Sequence, residues 1–241
     1  MRVAEPVTAT TPRPLRRSLM RQRWCDLAML HWQVPVASVE PFMPAGVRPD
    51  TIGGRTFVGL IPFRMVGSGL GRGPAVPFFG TFLETNVRLY SVDAQGRRGI
   101  VFRSLDADRL AVVLGARGGL RLPYVWSRLS FHQGADGAIE YVTRRRRGGP
   151  ASRLVLRPGP PLARPTELDV WLSARWGLHT RLAGGTRYLT NEHEEWPLHR
   201  AQVVALDDGL VAAAGFPGVA SRPPDSVLWS PGVRAAFGPT R

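Results

Sequence analysis

Residues 82–90 read FLETNVRLY, and the character of their side chains alternates along the segment. In a β-strand, successive side chains point to opposite faces of the sheet. One face of this segment would carry only Leu, Thr and Val, which suits a hydrophobic core. The opposite face would carry an acid, an amide and a base between two aromatic rings: Phe82, Glu84, Asn86, Arg88 and Tyr90. We therefore predict a strand with one apolar and one polar face.

The polar face either looks at solvent or lines an interior pocket. Four residues separate Glu84 from Arg88, which places their α-carbons about 13 Å apart on a strand, too far for a close ion pair. A buried charge without a partner is costly, so inside the protein each would need a partner from elsewhere or from a ligand. The alternation leaves both orientations open, and the rings of Phe82 and Tyr90 favour burial.

Short strand patterns in hairpin order dominate the rest of the chain. One helix is predicted from near Asp106 to Gly118, and another from a capping box at Thr166 to Gly177. A third, short helix is predicted after Pro35. These elements predict an α+β fold, in which a mainly antiparallel sheet forms an open barrel or cone around an interior pocket, with two or three helices packed on it.

Composition suggests the domain organisation and the compartment. Residues 1–23 are rich in Thr, Pro and Arg and lack the hydrophobic stretch of a signal peptide. We predict a flexible N-terminal extension over residues 1–23 and a single domain over residues 24–241. Cys25 is the single cysteine of the sequence, which favours a reducing, cytoplasmic location. No apolar run has the length of a membrane span, so no membrane partner is predicted, and a homo-oligomer is compatible with the sequence.

The chain is strongly basic, and its basic residues are all of one type. The formal net charge is +14, the 32 basic side chains are all arginine, and the sequence contains no lysine. A basic chain can bind nucleic acid, but here the arginines are spread along the sequence. The one dense run, Arg144–Arg147, indicates a solvated strand end more than a phosphate-binding patch. A basic nucleic-acid-binding module therefore stays an alternative, and no nucleic-acid partner is favoured.

Two further features bear on ligand and metal chemistry. Helical spacing places Arg117 on the apolar stripe of the first long helix, where it either favours the helix dipole or delivers a guanidinium to a pocket. The segment HEEWP begins like a zinc-binding helix, but Pro197 stands where the second histidine should be. The glycine-rich segment after residue 66 lacks a following helix. We predict neither a metal site nor a cofactor.

Long blocks of the sequence resemble a known family. They are CDLAMLHWQVPVASVEPFMPAGVRPDTIGGRTFVGLIPFRM, FLETNVRLY, GIVFRSLDAD with ARGGLRLPY, and HEEWPLHRA. In this order they resemble the YqjF-like family of uncharacterised bacterial proteins, from about Trp24 to the end. That family is similar in fold to acetoacetate decarboxylase, whose cone-like antiparallel sheet encloses a pocket. The resemblance implies that FLETNVRLY lies in the sheet with its polar face toward that pocket, and that Glu84 corresponds to an acid of the decarboxylase pocket.

The resemblance does not extend to the decarboxylase mechanism. Acetoacetate decarboxylase forms a Schiff base between a lysine amine and its keto acid. The aligned positions of that lysine pair here are Gly118 and Gly119, beside Arg117. Arginine stays protonated and cannot act as an amine nucleophile. A chain without lysine therefore cannot decarboxylate through a side-chain Schiff base, and the shared fold is no evidence for that activity.

From these observations we predict a pocket for a small, anionic organic acid or carbonyl compound. Glu84 is the candidate proton-handling group, and His31 is a second candidate acid or base. The candidate ligand-binding residues are Asn86, Arg88 and Arg117, with Trp32, Phe82 and Tyr90 as apolar walls. The sequence leaves open whether the protein is an enzyme. The alternatives are a non-covalent acid–base enzyme acting on a keto acid or a similar substrate, and a structural domain in which Glu84 belongs to a buried ion pair.

Overall fold

The computed structural model describes residues 2–71, 73–74, 76–77, 80–146, 148–182 and 184–239. The strands in this part are β1 (Met20–Val34), β2 (Val47–Pro49), β3 (Thr56–Leu70), β4 (Phe82–Asp93), β5 (Arg98–Ala107), β6 (Tyr124–Gln133), β7 (Ile139–Arg145), β8 (Ala151–Pro161), β9 (Gly177–Leu182), β10 (Gly185–His193), β11 (His199–Asp208) and β12 (Ser226–Phe237). The α-helices in this part are α1 (Val36–Val39), α2 (Leu110–Leu120), α3 (Glu167–Ser173) and α4 (Leu210–Ala213).

These strands form one sheet in the order β10-β9-β5-β6-β7-β8-β11-β12-β1-β3-β4-β2, with additional pairings of β10 with β12 and of β5 with β4. Most neighbours are antiparallel, but β5 runs parallel to both β6 and β9. The sheet is mainly antiparallel, as predicted, but the two parallel pairings of β5 make it mixed. The reason is that α2 connects β5 to β6, and a helical crossover returns the chain in the same direction. The prediction of a sheet-dominated fold with few helices is confirmed.

Two hydrophobic cores lie on opposite faces of the central strands. Consecutive residues of β1 belong to different cores: Met29 lies in the first core and Leu30 in the second. In β4, Tyr90 belongs to the first core and Leu89 to the second. Strand alternation explains this division. A central strand of this sheet is consequently buried on both faces.

The strand predicted from FLETNVRLY is β4, and it is central in the sheet. It pairs with β3 from Met65↔Phe82 to Val58↔Leu89 and with β5 from Glu84↔Ala107 to Val92↔Arg98. On the first-core side, α3 covers the sheet and packs the ring of Trp171 against Tyr90 with their centres 4.5 Å apart. The polar face of β4 is therefore enclosed between the sheet and α3.

The structure confirms the predicted cap of α3 and corrects two predicted helix ends. Thr166 and Asp169 form a reciprocal capping box at the start of α3. This helix ends at Ser173 rather than at Gly177, because Gly177 begins β9. The first long helix begins at Leu110, not near Asp106. Asp106 lies at the end of β5 instead, where its buried carboxylate accepts a hydrogen bond from Ser127.

Residues 2–19 belong to the segment 1–23 that we predicted as a flexible extension, and several of them contact the strands that follow. The backbone amide of Arg98 donates to the carboxylate of Glu5 at 2.8 Å, and Arg13 donates to the hydroxyl of Tyr188 at 2.8 Å. Leu15 is buried, and β1 begins at Met20, before the predicted start of the domain at residue 24. These contacts tie the segment to β5 and β10.

Candidate functional site

Five polar or aromatic side chains meet on the first-core side of the sheet. They are His31 of β1 and four residues of β4, and we call them the interior cluster: His31, Glu84, Asn86, Arg88 and Tyr90. Strand register explains their proximity, because β3 lies between β1 and β4 and places Gly59 between His31 and Arg88. A Cβ atom on Gly59 would lie 3.0 Å from the His31 ring, so this glycine leaves the space that the histidine occupies.

Burial decides the question of which way the polar face of β4 looks. The exposed fractions of Glu84, Asn86, Arg88 and Tyr90 are 3%, 5%, 8% and 0%. The face therefore looks into the protein and not at bulk solvent. Glu84 and Arg88 do not contact each other, as their spacing along the strand predicts.

Glu84 is a buried acid with neutral hydrogen-bond partners. The hydroxyl of Tyr124 donates to its Oε2 at 2.7 Å, and the amide of Asn86 donates to its Oε1 at 3.4 Å. In the described part of the chain no basic side chain pairs with it. Burial raises the pKa of Glu84 to about 7, against the lowering effect of these two hydrogen bonds. Near neutral pH this carboxyl is therefore divided between its protonated and ionised forms.

Arg88 is a buried cation whose partners are also neutral. Its Nη2 donates to the backbone carbonyl of Leu172 at 2.7 Å and to the hydroxyl of Tyr90 at 3.2 Å. Among the described residues no carboxylate lies within ion-pair distance of its guanidinium. The neighbouring buried arginine differs, because Arg175 contacts the carboxylate of Asp50 at 2.6 Å. Arg88 thus carries a positive charge that this part of the protein leaves without a counter-charge.

His31 is held as a neutral imidazole beside Arg88. Burial, together with the charges of Arg88 and Arg175, lowers its pKa well below its usual range. Its Nε2 lies 2.7 Å from the hydroxyl of Tyr90, which itself donates to the carbonyl of Leu172 at 2.8 Å. In the tautomer that satisfies both contacts, Nε2 carries the proton and Nδ1 is an acceptor. His31 is therefore neutral at neutral pH, and its Nδ1 can accept a hydrogen bond.

Three buried polar atoms at this site lack a hydrogen-bond partner among the described residues. They are the amide oxygen of Asn86, Nδ1 of His31 and the indole Nε1 of Trp171. Nearly all buried polar groups in proteins are hydrogen-bonded, so each exception calls for an explanation. Two free acceptors and one free donor around the interior cluster are available to a bound molecule.

The structure does not bring every predicted site residue to this place. Phe82 lies in the first core, at the end of the polar face. Trp32 lies in the second core, on the opposite face of β1 from His31, and its indole donates to the carbonyl of Arg222. Arg117 is exposed in the last turn of α2, where Val113 is the buried residue of the predicted apolar stripe. Neither Trp32 nor Arg117 shares the face that carries Glu84.

Sequence reasoning missed the residues that complete the surroundings of the interior cluster. Tyr124 donates a hydrogen bond to Glu84, which is 40 residues away in the sequence. The Leu172 carbonyl accepts one from Arg88, which is 84 residues away. Trp171 covers Tyr90 from α3. No local pattern marks these contacts, because they arise from the path of the sheet and not from spacing within one element.

A cavity of about 490 Å³ opens where β1, β10 and β12 come together. Its lining includes Gln22, Glu192, His193 and Arg234. Burial lowers the pKa of His193 to about 4, and the charge of Arg88 contributes to this lowering, so the two side chains lie within electrostatic reach. A second cavity, of about 400 Å³, lies elsewhere, and neither cavity is lined by a residue of β4.

The described residues contain no group of three or more His, Cys, Asp or Glu side chains arranged to hold a metal ion. Over the same residues, each helix is too short or too polar to traverse a bilayer.

Comparison with known sequences places this chain among proteins of similar length. Residues 21–234 match the model of DUF2071, described as an uncharacterized conserved protein (COG2071). The chain is 34% identical over 201 residues to the uncharacterized protein YqjF of Bacillus subtilis, covering 82% of each chain. The predicted resemblance to the YqjF-like family is confirmed.

Comparison with solved structures identifies the fold. Acetoacetate decarboxylase from Legionella pneumophila aligns with a TM-score of 0.65 and 12% identity, covering 100% of this chain and 97% of that one. An acetoacetate decarboxylase-like enzyme from Sphingomonas wittichii aligns with a TM-score of 0.62 and 13% identity, covering 95% of both chains. The enduracididine biosynthesis enzyme MppR, complexed with pyruvate, aligns with a TM-score of 0.62 and 13% identity, covering 99% of this chain and 98% of that one. At these identities the likeness is one of fold.

Proposed function

Because this chain belongs to the DUF2071 family and has an acetoacetate decarboxylase-like fold, we propose that its interior cluster binds a small organic acid or carbonyl compound. One observation carries the proposal. Arg88 is a buried cation without a carboxylate partner in the described part of the chain, and it shares one strand face with Glu84, a buried acid without a basic partner there. A ligand with a negative charge and a carbonyl group would complement both groups.

Arg88 would hold the anionic end of the ligand. An uncompensated charge inside a protein is costly, and a charge-assisted hydrogen bond to a carboxylate recovers much of that cost. Arg88 donates through Nε and Nη2 to groups of the described residues, which leaves Nη1 as a donor toward a ligand oxygen. The amide of Asn86, one position along the same face, offers its unpartnered oxygen to a hydroxyl or amine of the ligand.

Glu84 would bind the carbonyl end. In its protonated form it can donate a hydrogen bond to a carbonyl oxygen, and its pKa of about 7 keeps this form populated at neutral pH. A keto acid carries both groups, and the two side chains together with the ligand must bridge the roughly 13 Å between the α-carbons of Glu84 and Arg88. The complex of MppR with pyruvate supports this choice, since that protein shares the fold and its bound molecule is a 2-oxo acid.

The cavity of about 490 Å³ does not itself reach Arg88, because no residue of the interior cluster lines it. His193 lines this cavity and lies within electrostatic reach of Arg88. Binding requires α3 to shift, because Trp171 and the Leu172 carbonyl cover the interior cluster. The ligand carboxylate would then accept from Nη1 of Arg88, and also from Nη2 once the Leu172 carbonyl has moved away.

The experiment is a calorimetric titration of the full chain with pyruvate, acetoacetate and acetone. We expect the two acids to bind more tightly than the neutral ketone. Arg88→Met should abolish the preference for acids and leave the protein folded, because replacing an unpaired buried charge with a hydrophobic side chain is often neutral or stabilising. Arg157→Gln is the matched control, since it removes one arginine from an exposed ion pair with Asp136.

Two results would contradict the proposal. One is the absence of binding by any of the three compounds. The other is equal binding of the acids by the wild type, the Arg88→Met variant and the Arg157→Gln variant, which would place the ligand away from the interior cluster. Thermal unfolding of each variant verifies that a lost signal does not come from a lost fold.

The pKa of Glu84 favours a second candidate function, which is non-covalent proton transfer to and from a bound keto acid. A general base works best when its pKa lies near the working pH. Ionised Glu84 would take a proton from the carbon next to the carbonyl group, and Arg88 would stabilise the resulting enolate. Returning a solvent-derived proton completes the exchange without any oxidant or cofactor.

Proton exchange separates this second function from simple binding. In deuterated water, pyruvate bound at an active Glu84 would lose its methyl proton signal by NMR faster than pyruvate alone. Glu84→Gln should stop the exchange and retain binding, since the amide keeps a hydrogen-bond donor. Binding without accelerated exchange in the wild type would leave a binding protein and end the case for an enzyme of this kind.

A further inference from the structure

The cavity of about 400 Å³ lies where β6 and β7 pair beside the turn into β8. Its lining consists of four arginines and one glycine, and we call it the arginine pocket: Arg128, Arg144, Arg145, Arg146 and Gly148. Arg147, the last residue of the basic run in the sequence, lies outside the described residues. Arg144 is exposed near the end of β7, as the sequence indicated, and the surface around it is concave.

One of the four arginines is neutralised by an acid. The guanidinium of Arg145 forms two parallel hydrogen bonds to the carboxylate of Asp106, at 2.8 and 2.9 Å. Asp106 is fully buried, and Ser127 donates to it as well. Arg145 therefore shapes the wall of the pocket without adding an unbalanced charge.

The other three arginines have no acidic partner in the part of the chain that the structure describes. Arg128 and Arg144 stand directly opposite each other in the pairing of β6 with β7. Like charges at such positions destabilise a sheet. The guanidinium of Arg146 lies 3.7 Å from the ring centre of Trp126, and its Nε is buried without a hydrogen-bond partner. Three cations thus converge without a counter-charge.

The arginines next to the pocket on the same sheet, unlike those that line it, are paired with acids. On the neighbouring strand β8, Arg153 pairs with Glu140 at 2.7 Å and Arg157 pairs with Asp136 at 2.8 Å. A nucleic-acid strand requires positive charge that follows its backbone over several phosphates. The confined charge of the arginine pocket fits a compact anion instead.

We propose that the arginine pocket binds the phosphate group of a phosphorylated small molecule. Guanidinium groups match phosphate oxygens through paired hydrogen bonds, and phosphate carries more negative charge than a carboxylate. A volume of about 400 Å³ falls in the usual range for small-molecule sites and leaves room for a group attached to the phosphate. The pocket shares no residue with the interior cluster, so this proposal stands independently of the function proposed above.

The test is a calorimetric titration of the full chain with pyrophosphate and with inorganic phosphate at constant ionic strength. The variant is the double substitution Arg128→Gln with Arg144→Gln. The matched control is the double substitution Arg153→Gln with Arg157→Gln, which removes the same charge from the same sheet. All four side chains are exposed, so both double variants should fold.

We expect pyrophosphate to bind the wild type and the control variant with affinities within about twofold of each other. The Arg128 and Arg144 variant should lose at least about tenfold in affinity, since two charge-assisted contacts disappear. Chloride in place of pyrophosphate should give no saturable signal.

Three outcomes would overturn the proposal. They are no saturable binding of either phosphate compound, an equal loss of affinity in both double variants, and tighter binding of a single-stranded oligonucleotide that strengthens with its length. The second would indicate a general effect of net charge, and the third would indicate a nucleic-acid surface. None of these outcomes alters the expected binding of acids at Arg88.

Discussion

The interior cluster and the arginine pocket both contain arginines without acidic partners in the described part of the chain, but they differ in exposure. Arg88 is 8% exposed and is held by a tyrosine hydroxyl and a backbone carbonyl. Arg128 and Arg144 are exposed and face each other across two strands. Water stabilises the second pair, whereas only protein groups or a ligand can stabilise the first.

This difference indicates how each site would select a ligand. Inside, dielectric screening is weak, so one guanidinium and one acid near its pKa are enough to select a small acid. At the surface, screening weakens each contact, and several guanidinium groups must converge to bind one anion. The difference in burial between the two sites therefore predicts how strongly each substitution changes the free energy of unfolding.

The largest expected effect concerns the buried arginine that does have an acidic partner. Asp50 contacts Arg175 at 2.6 Å and also contacts Arg98. Asp50→Asn would leave a buried guanidinium uncompensated, so we expect the free energy of unfolding to fall by about 3–5 kcal/mol. Chemical denaturation measures this loss.

The matched exposed pair joins Arg153 and Glu140. Glu140→Gln should lower the free energy of unfolding by less than about 1 kcal/mol, because exposed pairs contribute little. Similar losses in Asp50→Asn and Glu140→Gln would break the distinction between buried and exposed charges on which the ranking depends.

The second prediction concerns the pH dependence of stability at Glu84. Its pKa rises from 4.5 to about 7 on folding, so over that interval the folded state keeps a proton that the unfolded state has lost. The free energy of unfolding therefore falls as pH rises through this window, by roughly 1.4 kcal/mol per pH unit. Glu84→Gln removes this term, and its stability relative to the wild type should grow from pH 4.5 to about 7 and then level off.

Denaturation of both proteins across this pH range measures the difference directly. The buried histidines have lowered pKa values and act in the opposite direction, since their contribution is lost as pH falls. They are the same in both proteins and cancel in the difference. A difference that does not change with pH would mean that Glu84 is ionised throughout.

The third prediction sharpens the description of Glu84. Tyr124 donates a hydrogen bond that lowers the pKa of this carboxyl. Tyr124→Phe should therefore raise the pKa of Glu84 above about 7 and retain its burial. Infrared spectroscopy of the protonated carboxyl band, assigned by its loss in Glu84→Gln, measures the midpoint. An unchanged or lowered midpoint would show that the hydrogen bond does not control this proton.

Local pattern was sufficient to predict β4 and the cap of α3. Alternation over nine residues specified the strand, and the spacing of Thr166 and Asp169 specified the helix start. Alternation could not decide whether the polar face is buried, because that depends on the two neighbouring strands and on α3, which lies about 80 residues later.

The errors have different physical causes, and only one of them is a long-range contact that overrides local preference. Aspartate is a common residue at the start of a helix, which is why a helix was predicted near Asp106. Instead, Asp106 lies at the end of a strand, where the guanidinium of Arg145, 39 residues later, binds its carboxylate. Trp32 is adjacent to His31 in sequence and therefore lies on the opposite face of β1. Arg117 occupies a stripe that the helix leaves largely exposed.

The smallest expected effect concerns the repulsion between Arg128 and Arg144. Arg144→Gln removes one of two like charges that stand opposite each other, so the free energy of unfolding should rise by less than about 1 kcal/mol at low salt. Salt screens exposed charges, and the gain should disappear at high ionic strength. Pyrophosphate would stabilise the wild type more than the variant, which would reverse the order of their melting temperatures. A variant that is less stable than the wild type at every salt concentration would mean that Arg144 contributes mainly through packing of its side chain, and the two arginines would then not be repelling each other.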